Sequence, residues 1–185
     1  MNQSVRLSAL SENDRVLVDA ARETIRNAYA PYSSFAVGAA VRSKNGAIYR
    51  GANLENASYG VTMCAEVAAL TYANTAGDFE IEAIAIVGAS FQDESANTKI
   101  VTPCGRCRQM LVEASQIAQT ELRVLSCNFE LTDILVASIA ELLPAAFGPA
   151  NIGLVKDWPS IRAKIHALAD RKPLSLKKKA ASAIS

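Results

Sequence analysis

Pro103-Cys104-Gly105-Arg106-Cys107 constrains the fold of this 185-residue chain more than any other stretch. Proline suits the first turn of a helix. Cysteines three apart put both side chains on one face of that turn. A helix N-terminus favours anions, and thiolates are anions. The pair is suited to hold a divalent metal, but two cysteines are too few. Zinc takes four ligands in tetrahedral geometry, and a catalytic site keeps one position open for water. The best third ligand is Cys64, which opens another expected helix in Cys64-Ala65-Glu66. The fold must therefore bring two helix starts, distant in sequence, to one point. Glu66 can then sit over the open position and handle protons without binding metal.

Other readings of the cysteines stay open at this level. A lone C-x-x-C also serves as a redox pair or as half of a structural zinc site. Cys127 is the one remaining cysteine that could close such a site. It sits in an apolar run and reads better as a buried strand residue.

The rest of the chain supplies the frame. Ser11 caps a helix with Asp14 three residues on, and Leu17, Ala21, Ile25 and Ala28 recur at helical spacing up to Pro31. Residues 35–41 and 47–52 read as a hairpin joined by Lys44-Asn45-Gly46. A helix is expected over 64–74, a buried strand over 82–87 and a polar loop over 90–98. A helix from Pro103 to Gln116, a strand over 122–127 and a short helix over 137–142 follow. This order predicts a three-layer α/β/α domain whose sheet mixes parallel and antiparallel strands. The domain is expected over 10–150. A C-terminal extension over 151–185 holds a helix at 158–169 and a basic tail with Lys177-Lys178-Lys179, read as solvated. There is no internal repeat.

Composition narrows the function. The net charge of +1 gives no strong field for a nucleic-acid polymer or a membrane. No secretion signal or membrane span is evident, so a cytoplasmic protein with reduced thiols is expected. His166 is the only histidine, which leaves little room for histidine-based nucleophilic catalysis.

Cys64-Ala65-Glu66 followed by Pro103-Cys104-Gly105-Arg106-Cys107 resembles the zinc deaminases, in which three cysteines can hold the metal. Residues 31–38 (Pro-Tyr-Ser-Ser-Phe-Ala-Val-Gly), 53–58 (Asn-Leu-Glu-Asn-Ala-Ser), 104–109 (Cys-Gly-Arg-Cys-Arg-Gln) and the block from Glu141 to Pro149 are similar, in order, to the small homotetrameric cytidine deaminases. That resemblance implies one Zn2+ per chain on Cys64, Cys104 and Cys107. Glu66 would shuttle protons while zinc activates water, converting cytidine or 2′-deoxycytidine to the uracil nucleoside and ammonia. It implies that Asn53 and Glu55 bind sugar hydroxyls and that Phe35, Ala65 and Tyr59 line the pocket. Phe147 would reach a neighbouring subunit's site, which implies a homotetramer with shared active sites. The partner would be a free nucleoside, with neither a nucleic-acid polymer nor a membrane.

One position departs from the pattern. Three thiolates on Zn2+ leave a net −1, and the family commonly offsets it with an arginine directly after the glutamate. Here that residue is Val67. Arg106 or Arg108 could compensate, or both could be plain surface charge. Val67 also resembles the blasticidin S deaminases, so deamination of modified cytosine nucleosides is the alternative activity.

Overall fold

A computed structural model describes residues 4–171. The chain divides into two compact units, Met1–Gly148 and Pro149–Ser185.

The first unit is built on one six-stranded sheet: β1 (Ser4–Val5), β2 (Phe35–Ser43), β3 (Ile48–Ala52), β4 (Ile81–Ser90), β5 (Arg123–Cys127) and β6 (Ile134–Ser138). Their spatial order is β1-β6-β5-β4-β2-β3. Only β4 and β5 run parallel; every other pairing is antiparallel. The helix between them, α3 (Gly105–Ala118), is the crossover that a parallel pair requires.

Strand alternation sends side chains to two faces. On one face, Leu17, Val18 and Ala21 of α1 (Glu12–Thr24) pack with Ala40, Ala85, Leu125 and Cys127. On the other, α2 (Ala65–Thr75) and α3 pack with Ala39, Val41, Ile84, Ile86 and Val124. The unit is thus the expected α/β/α sandwich with a mixed sheet. Ser11 caps α1 by accepting from the Asp14 amide at 3.2 Å, as the sequence predicts.

The face carrying α2 positions the site. Ala65, Ala69 and Ala73 present a small surface at four-residue spacing, and all three are buried. Gly51 of β3 lies under them: a Cβ there would overlap the Ala69 amide nitrogen and the Ala65 carbonyl oxygen. Close contact between α2 and the sheet thus depends on residues without bulk at both surfaces.

Three elements differ from expectation. Residues 134–138 form β6, and the helix shrinks to α4 (Ile139–Leu142), opened by a capping box between Ser138 and Glu141. Ile134-Leu135-Val136 is a short apolar run, and in such runs pairing with β5 decides between strand and helix. Ser4–Val5 pairs with β6 as a two-residue edge strand too short to leave a pattern. In the second unit, α5 runs over Leu154–Ala169 and accommodates Pro159, so it starts earlier than the expected 158. The tail from residue 172, with Lys177-Lys178-Lys179, lies outside the described residues.

Candidate active site

Three sulfurs meet between two helix N-termini. Cys64 is the N-cap of α2, Cys104 is the N-cap of α3, and Cys107 sits one turn into α3. Cys64 Sγ and Cys104 Sγ are 3.9 Å apart, Cys104 Sγ and Cys107 Sγ 3.5 Å, and all three lie within 4.8 Å of one another. A tetrahedral zinc about 2.3 Å from each sulfur sets neighbouring sulfurs about 3.8 Å apart. The observed spacings fit that ion, and the positive ends of two helix dipoles suit three thiolates. A hydrogen bond from the Cys107 thiol draws Cys64 down to about 6 against the penalty of burial, and the Arg106 charge adds to the effect. The same bond, together with burial, pushes Cys107 far up.

Cys127 does not join this cluster. Its side chain belongs to the α1 face of the sheet, and burial raises its thiol to about 12. Among the described residues, Cys64, Cys104 and Cys107 are the one such group able to hold a metal. The closed four-cysteine structural site is thereby removed.

Cys64, Cys104 and Glu66 border a cavity of about 280 Å³, together with Phe35, Val37, Asn53, Glu55, Tyr59 and Ala65. Glu66, in the first turn of α2, is 5 % exposed. Burial raises its carboxyl above the usual range, opposed by hydrogen bonds from a backbone amide and Cys107. The group holds a proton more readily than a solvated carboxylate does. The Phe35 ring reaches the cavity across Gly88 of β4, where a Cβ would come within 2.7 Å of it.

Asn53 and Glu55 line the cavity while also building it. The Asn53 carboxamide accepts from the Val37 amide at 2.9 Å and donates to the Phe35 carbonyl at 3.0 Å, extending the β2–β3 ladder by a side chain. Glu55 Oε2 accepts from the Tyr32 and Ser33 amides at 2.9 and 3.2 Å, and Oε1 accepts from the Tyr59 hydroxyl at 3.1 Å. Burial pushes Glu55 up, but these bonds and the Ser33 hydroxyl outweigh it and hold the carboxyl below its ordinary value. The bond to Glu55 raises the Tyr59 hydroxyl in turn. Oε2 is filled by two amides, whereas the Asn53 amide, which donates once, to Phe35, keeps a second N–H. The unused capacity suits a hydroxyl-bearing ligand.

Ser33, Thr62, Met63, Val101 and Thr102 also line the cavity and carry no sequence signal of their own. Phe147 is not among the lining residues; it is 66 % exposed, and its carbonyl accepts from Gln109 Nε2 at 2.8 Å. Val67 is buried. Both candidate arginines bond backbone carbonyls; Arg108 is half-buried, while Arg106 is exposed. Arg106 donates to Thr62 O at 3.3 Å, and Arg108 donates to Pro103 O at 2.9 Å and Leu142 O at 3.1 Å. They brace the segments that carry the ligands.

Comparison with known proteins agrees with this geometry. Residues 11–121 match the cytidine and deoxycytidylate deaminase zinc-binding region. A cytidine deaminase of Halalkalibacterium halodurans is 42 % identical over 134 residues, 72 % of this chain and 92 % of that protein. A probable cytidine deaminase of Dictyostelium discoideum is 42 % identical over 135 residues, 73 % of this chain and 84 % of that protein. The crystal structure of cytidine deaminase from Burkholderia pseudomallei superposes with a TM-score of 0.63 at 39 % identity, covering 75 % of this chain and all of that one. The thiol triad, the buried glutamate beside it and these relatives lead to one conclusion: the chain belongs to the cytidine and deoxycytidylate deaminase family and is a zinc-dependent deaminase.

Proposed function

We propose that the protein hydrolyses the exocyclic amine of cytidine and 2′-deoxycytidine, releasing ammonia and uridine or 2′-deoxyuridine. The observation that carries this reading is the buried Glu66 carboxyl sharing one cavity with Cys64 and Cys104 on one side of the chemistry and Asn53 and Glu55 on the other. Cys64, Cys104 and Cys107 would hold Zn2+, which supplies a Lewis acid that brings the ionisation of water towards neutral pH. Glu66 takes the proton of the water that adds to C4 and delivers it to N3. Glu66 then takes the remaining proton from the new C4 hydroxyl and passes it to the amine as the C4–N bond breaks and the C4 carbonyl forms, so Glu66 ends as it began. Phe35 and Ala65 bound the base, and Tyr59 holds Glu55. Glu55 Oε1 and the Asn53 amide take the sugar hydroxyls, and a site built for hydroxyls penalises substrates that lack them.

The chemistry belongs to a domain spanning residues 10–150, with 151–185 appended. We place four copies in a homotetramer with shared sites. Phe147 is a large exposed apolar ring beyond its own cavity, in keeping with a role at a neighbour's site. Free thiols as ligands fit a reducing compartment, hence the cytoplasm.

Ultraviolet absorbance of the purified zinc protein with cytidine tests the activity. Conversion to uridine supports it. A zinc-loaded protein that leaves cytidine unchanged but converts N4-substituted cytidines would select the alternative suggested by Val67. Mixing Phe147→Ala with Glu66→Gln subunits tests site sharing: activity in mixed oligomers should differ from the sum of the separate pools.

A further inference from the structure

Ser33 stands between the base end and the sugar end of the cavity and meets both. Its Oγ accepts from the Phe35 amide at 3.1 Å, at the start of β2, where the Phe35 side chain borders the base end. Its own amide donates to Glu55 Oε2 at 3.2 Å. Burial raises the Glu55 carboxyl, and the Ser33 hydroxyl is foremost among the groups that bring it down.

These contacts fix the direction of the hydroxyl. A serine oxygen that accepts from an N–H turns its own hydrogen elsewhere, and a carboxylate can only accept. The chain from the Phe35 N–H through the Ser33 O–H to Glu55 therefore runs one way, and bonds in such a chain reinforce one another. Ser34, between Ser33 and Phe35, turns the backbone. It is buried with a φ of 58°, a conformation that costs energy for a residue with a side chain. Its amide donates to the Ala30 carbonyl and its carbonyl accepts from the Phe91 amide, both at 3.1 Å, so the turn is held from two sides. Ser33 is itself exposed and lines the cavity. A ligand that fills the cavity lies over this hydroxyl and displaces water from it, which strengthens a bond to a charged acceptor. A serine that only closes a turn needs the bond from Phe35 and nothing more; its approach to Glu55 ties the two ends of the cavity together.

We propose that Ser33 is a positioning residue whose hydroxyl orients the Glu55 carboxylate against Phe35, and so sets how strongly the site selects a nucleoside bearing a 3′-hydroxyl. This rests on the nucleoside reading above.

Steady-state kinetics of the full-length zinc protein with cytidine and with 2′,3′-dideoxycytidine tests it. Ser33→Ala should raise KM for cytidine about 3–10-fold, the loss of one hydrogen bond, with kcat changed less than about twofold. KM for the dideoxy substrate should change less than about twofold. Ser33→Thr keeps the hydroxyl and should restore the cytidine KM. Zinc content and the thermal transition should match wild type in both variants. The proposal fails if Ser33→Ala behaves like wild type, or if Ser33→Thr behaves like Ser33→Ala. It fails equally if both substrates lose alike, if kcat falls with KM, or if zinc or the thermal transition is lost, since Ser33 then only builds the turn. A wild-type protein that leaves cytidine unchanged would instead overturn the nucleoside reading, and this inference with it.

Discussion

The cavity has two kinds of wall, and they are held in place by different physics. The thiols and Glu66 stand on the first turns of α2 and α3, whose small or apolar faces are buried against the sheet. Asn53, Glu55 and Tyr59 stand on irregular chain joined by two isolated bridges, Tyr29 with Leu54 and Leu54 with Met63. Their placement comes from side chains bonding backbone: Asn53 to β2, and Glu55 to the Tyr32 and Ser33 amides. Helix termini packed on a sheet place ligand atoms with little freedom, which metal coordination demands. A polar loop satisfied by its own carboxamide and carboxylate can keep a few bonding positions for a ligand. Damage to the first wall should abolish chemistry, and damage to the second should alter which ligand is accepted.

The largest effect is expected from Cys104→Ala. It leaves two thiols, so bound zinc should fall from one per chain to near zero and turnover below detection; full zinc occupancy in this variant would show that the triad is not the metal site. Glu66→Gln should separate metal from chemistry on the same wall, with zinc retained and kcat reduced about 10²–10⁴-fold. An unchanged kcat would remove Glu66 from the proton path. Glu55→Gln examines the other wall. Loss of a charged acceptor should lower kcat/KM for cytidine about 10–100-fold, mainly through KM, while zinc stays bound. The penalty should shrink for a dideoxy substrate; equal losses for both would mean that Glu55 only holds the loop.

Smaller effects concern the supports. Gly51→Ala pushes a methyl into the α2 backbone and should destabilise the protein by at least about 1–3 kcal/mol in denaturant titration. It should also loosen zinc, since α2 carries Cys64; zinc retention unchanged would mean the seat of α2 does not position the ligand. The subtlest test is acid stability. Glu55 has a folded pKa below its unfolded value of about 4.3, so its contribution is full above that value and is lost as pH falls through the folded pKa. The stability gap between wild type and Glu55→Gln should therefore narrow as pH drops below about 4. A gap constant with pH would remove the charge from the account.

Much of the site was legible because metal chemistry restricts residue types and spacing. The C-x-x-C at a helix start, the third cysteine at another and the glutamate two residues on are local patterns. The Ser11 cap and the hairpin turn were equally local. Ala137 and Ser138, expected in a helix, join the strand over 134–138 because a short apolar run suits a helix or a strand until a neighbouring strand offers hydrogen bonds. Arg106 and Arg108 could not be assigned because their acceptors, Thr62, Pro103 and Leu142, include carbonyls far along the chain. Cys127 shows the same limit: its type suggested a ligand, its apolar setting suggested burial, and the parity of β5 sent it to the opposite face.

The sequence by itself singled out a thiol set of metal-ligand type, a carboxyl beside it and the alternation of helices and strands. These follow from residue type and short-range spacing. Only the tertiary structure decided that three sulfurs come within 4.8 Å, that Asn53 and Glu55 spend part of their bonding capacity on β2 and the 32–33 amides, and that Phe147 does not line its own cavity. Those facts depend on strand order, on the parity of side chains along each strand and on how closely Gly51 lets α2 approach. All are contacts between residues far apart in the chain, which no local pattern encodes.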